Sequence, residues 1–176
     1  MPELKSTLPQ VRATHSLGIA SSLDLFHALQ ESIDDYLNDA ELSARKALSA
    51  AIFAWNLTDW VWREYYDVAE VTRREFQETI KSDCPPLSYL EDIANGTKHL
   101  SIVDHTPFPS VKSTTLHEGS FSRAFSRAFD RSRFILTLAD DAAVDFDTQL
   151  NDTSDYWRSF FTSLLCIQTS PSAAVN

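Results

Sequence analysis

The chain has 176 residues, enough for one domain that buries a core without disulfides or a structural metal. Apolar residues make up 43% of it, with 4 Trp and 11 Phe, which excludes a disordered chain. The formal charge of −10 weighs against a large basic footprint for nucleic acid and does not exclude a local one.

Residues 1–14 mix charge with Pro2 and Pro9 and carry no apolar run. We read them as a mobile arm, neither signal peptide nor membrane span. From Leu17 to Leu37, Phe26, Leu29, Ile33 and Leu37 recur at spacings of three and four, which predicts a first helix. Asn38-Asp39 offers a cap, and residues 41–66 run without Gly or Pro, predicting the longest helix. Its stretch from Ala50 to Trp62 is apolar nearly all round, as expected at the centre of a bundle, with Trp55, Trp60 and Trp62 in the core. Asp59 interrupts that stretch and has to find a partner or an opening.

A charged helix is expected over 68–81, with Phe76 and Ile80 inward, ending before Pro85 and Pro86. The prolines suit the first turn of a fourth helix, whose apolar face is Leu87, Leu90, Ile93 and Ala94 and whose end lies between Asn95 and His99. After Pro109, alternation replaces the helical period. Phe134–Leu138, the turn Ala139-Asp140-Asp141 and Ala143–Asp147 predict an antiparallel hairpin. Between them the tandem repeat Ser122-Arg-Ala-Phe-Ser-Arg-Ala-Phe129 aligns Phe121, Phe125 and Phe129 in either helix or strand, and we expect extended structure there. Thr153 to Ile167 predicts a closing helix, and 169–176 a loose tail. The expected fold is therefore mainly α: one domain over 15–168, a four- or five-helix bundle with a small antiparallel β-hairpin or sheet inserted at 111–148, before the C-terminal helix.

Chemistry concentrates at the end of the fourth helix. At about 100° per residue, Asp92, Asn95 and His99 fall within about 60° of one another, opposite Leu90, Ile93 and Thr97. An acid, an amide and an imidazole on one face suit a ribose or phosphate, with His99 as general acid or base and Lys98 as a phosphate-directed charge. The competing reading is a solvated helix end whose Lys98 and His99 complement the dipole. Because this face turns from the apolar stripe, a site there needs a neighbouring loop or a second chain.

Segment Ala94-Asn95-Gly96-Thr97-Lys98-His99 resembles the motif region of HEPN proteins, helical-bundle proteins of bacterial defence and toxin systems, many of them ribonucleases. Their motif is an arginine, often followed by Asn, with a histidine four to six residues beyond the arginine. Here Ala94 stands where the arginine would be. The resemblance implies an interaction protein of a defence or toxin-type system, non-enzymatic or degenerate. The alternative it implies is a metal-independent ribonuclease with His99 as acid/base, Asn95 orienting the substrate and Lys98 meeting phosphate.

Arg123, Arg127, Arg131 and Arg133 form the one basic concentration. With the interleaved phenylalanines they suit phosphates and stacked bases; the structural alternative is an edge strand with Arg outward and Phe in the core. His99, Asp104 and His105 match no strong metal template, no Glu-x-x-His pair occurs, and we assign neither metal nor cofactor. Three glycines leave no phosphate loop or dinucleotide fingerprint. Cys84 and Cys166 read as unpaired thiols of a reducing cytoplasm. The expected partners are a second copy or another protein, with RNA as a further candidate and no membrane.

Overall fold

The computed structural model describes residues 17–66, 71–97, 109–126 and 128–169, with side chains to position 164. Five helices and a three-stranded antiparallel sheet make up the described chain: α1 Ser22–Leu37, α2 Ala44–Val61, α3 Arg73–Asp83, α4 Pro86–Gly96, β1 Val111–His117, β2 Arg133–Leu138, β3 Ala143–Asp145 and α5 Phe146–Thr169. The mainly helical bundle with a small sheet before the last helix is the architecture read from the sequence. No helix among the described residues is long and apolar enough to cross a membrane.

Helix starts are set by side-chain caps. Ser21 and Asp24 form a capping box at α1, and Thr72 and Glu75 form another at α3. These place the starts several residues later than apolar spacing alone suggests. Ser43, rather than Asn38-Asp39, caps α2 by accepting the Lys46 N–H. Pro86 opens α4 as expected.

α2 is the central helix, packed on α1, α4 and α5. Ala50, Ala51 and Ala54 are fully buried along it, and their small side chains let the neighbouring helices approach closely. Tyr36, Leu57, Leu87, Leu90, Leu150 and Trp157 fill the space around them. α2 runs into a five-residue π-helix, Trp62–Tyr66, within the span read as one long helix. Trp55 is buried, whereas Trp60 and Trp62 are half-buried and line a cleft of about 360 Å³ with Asp59, Glu64 and Arg73. Asp59 has found its partners: it accepts from Gln77 at 2.8 Å and pairs with Arg73 at 3.4 Å.

The sheet order is β1-β2-β3. Thr114 faces Leu136, Leu116 faces Phe134, Ile135 faces Asp145, and a bulge lies between Val111 and Ser113. The hairpin from Phe134 to Asp145 is the expected one. α5 starts at Phe146, seven residues before the expected Thr153, because the Asp145 carboxylate accepts the Thr148 N–H at 3.0 Å and starts the helix directly from β3.

Candidate interaction surface

Among the described residues, the connection between β1 and β2 holds the densest set of exposed aromatic groups. It is not extended along its length. The repeat folds as two successive turns, with the Phe125 N–H donating to the Ser122 carbonyl and the Phe129 N–H to the Ser126 carbonyl, both at 3.0 Å. The Ser122 and Ser126 hydroxyls reinforce them by accepting the N–H groups of Ala124 and Ala128 at 3.3 Å. A four-residue repeat with one turn per unit returns its first residue to the same side each time. Phe121, Phe125 and Phe129 therefore converge, with ring centroids 5.1 to 5.9 Å apart. They remain 41%, 51% and 47% exposed.

Two arginines of the connection do the opposite. Arg123 and Arg131 are buried against Asp147 in the first turn of α5, at 3.4 and 3.1 Å. Arg123 also donates to the carbonyls of Ser132 and Tyr36 at 2.9 and 3.1 Å, and its guanidinium lies over the Tyr36 ring at 4.7 Å. Arg131 donates to the Arg123 carbonyl at 3.1 Å, and the Tyr36 hydroxyl donates to Asp147 at 2.7 Å. Burial, followed by the charge of Asp147, raises the Tyr36 pKa, so the phenol stays protonated as a donor. Asp147 is thus the hub through which the connection is fastened to α1 and α5, and sequence reading missed it because its partners are 16 to 111 residues away.

Two further contacts pin the base of the connection. Gly119 passes so close to the Arg131 backbone that a Cβ there would stand 2.2 to 2.6 Å from it. On the outer side, Asp130 meets His117 at 2.6 Å and Arg133 at 3.1 Å, and Arg133 reaches Asp145 at 3.0 Å. His117 and Arg133 hold the Asp130 carboxyl at about 2, below its usual 3.8.

Nothing matches this chain among protein-family models, curated proteins or solved structures.

The site candidates among the described residues have separate partners: Asp92 binds β1, and Arg123 and Arg131 bind Asp147. Asp92 does not lie on a solvated face: it is 2% exposed, and its carboxylate accepts the Val111 N–H at 2.9 Å, tying α4 to the start of β1. Burial raises its pKa, opposed by the N–H groups of Val111 and Ser110. Its place on the wheel opposite Leu90 faces the sheet, which the wheel could not include. Asn95 is half-buried near the end of α4. Lys98, His99, Asp104, His105 and Arg127 lie outside the described residues. Arg123 and Arg131, expected to meet phosphates, are committed to Asp147. The edge-strand alternative, with Arg outward and Phe inward, is reversed at Arg123 and Arg131 and at Phe121, Phe125 and Phe129.

Proposed function

We propose that this chain is a non-enzymatic interaction protein whose contact surface is the Phe121, Phe125 and Phe129 cluster. The observation that carries this is the inversion across the connection, Arg123 and Arg131 inward and Phe121, Phe125 and Phe129 outward. Three rings about half exposed, each of roughly 150–250 Å² in full, give a patch of roughly 300 Å², in the range of functional apolar patches. Bases would stack on such rings, but an RNA site also needs phosphate contacts. Two of the guanidinium groups that would supply them are spent on Asp147. A protein surface is therefore the better complement. Aromatic anchors held on a fixed scaffold lose little entropy on binding, which is the usual basis of a binding hot spot. Membership in a bacterial defence or toxin-type system is supported by the resemblance at positions 94–99, and a homodimer is proposed as its working state.

The test is the size of the native complex in extracts of the source cells. The tagged wild-type chain should elute in a complex larger than its own oligomer, and a Phe121→Ser/Phe125→Ser/Phe129→Ser variant should leave that complex while unfolding at the wild-type temperature. Co-elution of the folded variant with the complex would contradict the reading.

A further inference from the structure

A second surface lies along β1. Among the described residues β1 pairs only with β2, and no described strand lies along its other edge. Open edges are normally blunted by charge or proline. The run Ser113-Thr114-Thr115-Leu116 carries neither, and all four residues are exposed. Lys112 and His117 bracket it, and each is matched by a carboxylate of its own chain, Asp141 at 2.7 Å and Asp130 at 2.6 Å. None of the chain's net charge of −10 falls on these four exposed positions.

Parity identifies the inner face of the strand. Thr114 and Leu116 pair with Leu136 and Phe134, and Leu136 is buried in the core. Leu116 thus projects on the helix side of the sheet, yet it is 54% exposed. Next to it, an apolar groove of about 180 Å³ opens between Thr114, Phe134, Ala47, Leu48 and Ile93. The strand presents an uncovered leucine beside an apolar groove.

We propose that β1 pairs antiparallel with β1 of a second copy, about a two-fold axis at Thr115. Directly opposed residues in an antiparallel pair share a face, so inner meets inner only when the two residue numbers have the same parity. Centring on Thr115 sets Thr114 opposite Leu116 of the second copy and Ser113 opposite its His117. Leu116 of each copy is then delivered beside Thr114 of the other, over the groove. The result is one continuous sheet, β3-β2-β1-β1-β2-β3, with both helical layers on the same side. One strand pair and two leucines form an interface at the small end of the range, so association should depend on concentration across the micromolar range. This inference deepens the homodimer part of the proposed function and is independent of the phenylalanine cluster.

Sedimentation of the full chain combined with cysteine cross-linking tests it. At about 100 µM the wild type should sediment as twice 19.9 kDa. Two Cα atoms opposed on the axis stand about 4.5–5.5 Å apart, within disulfide reach. Thr115→Cys should therefore form a disulfide-linked dimer on mild oxidation, well above the wild-type background, and Ser113→Cys should not. Leu116→Asp, at an exposed position, should give a folded monomer, and Thr115→Lys should do the same by opposing two cations on the axis. A wild-type monomer at that concentration overturns both this proposal and the homodimer, leaving the phenylalanine reading intact. A dimer that links through position 113 rather than 115, or that survives both Leu116→Asp and Thr115→Lys, overturns the β1 pairing alone.

Discussion

The carboxylate of Asp147 meets the guanidinium of Arg131 at 3.1 Å, with both side chains more than nine-tenths buried. One carboxylate in the first turn of α5 thereby holds a connection that carries Phe121, Phe125 and Phe129 on its exposed side. Asp147→Ala would leave two arginines buried without their counter-ion, at a cost of roughly 3–5 kcal/mol. Urea unfolding should show a lower midpoint by that measure. Arg131→Met should cost less, since Asp147 keeps Arg123 and Tyr36.

Gly119→Ala should destabilise the protein by about 1–3 kcal/mol, because its Cβ meets the Arg131 backbone rather than a side chain that could swing away. Ser120→Ala, at an exposed neighbouring position, should change stability by less than about 0.5 kcal/mol. Thermal unfolding of the pair checks this; equal melting temperatures would mean that the connection does not close against Arg131.

The Asp130 carboxyl should titrate at about 2 in the folded protein, against a usual 3.8. A depressed folded pKa means that its contribution to stability is complete above about pH 4 and is lost as the pH falls from there toward 2. Carboxyl-carbon NMR follows it directly. In a His117→Ala/Arg133→Ala variant the midpoint should return toward the ordinary value.

Asp92→Ala should leave the buried Val111 N–H without an acceptor, costing about 1–3 kcal/mol. Hydrogen exchange at Val111 should accelerate while exchange in α1 and α2 is unaffected. An unchanged Val111 rate would show that α4 does not hold the strand.

Helix count, the position of the sheet and the hairpin were legible because apolar period and proline placement act over a few residues. Leu29, Ile33 and Leu90 sit where their spacing puts them. Helix starts at Ser21, Thr72 and Asp145 carry readable capping signals, although apolar spacing alone runs past the first two and falls short of the third. What the sequence could not display was direction. Nothing in Phe-Ser-Arg-Ala repeated twice tells which residue turns inward; that is decided by Asp147 and Tyr36, brought from elsewhere in the chain. Asp92 shares this difficulty, since its partner is a backbone N–H beyond the end of its own helix.

The central claim is that the phenylalanine cluster meets protein, and a photo-reactive benzophenone side chain in place of Phe125 tests it most directly. Irradiated in the source cells and analysed by mass spectrometry, the tagged chain should carry polypeptide adducts at position 125, and none when the group replaces exposed Glu78 on α3. Ribonucleotide adducts at 125, or no difference between the two positions, would contradict the account.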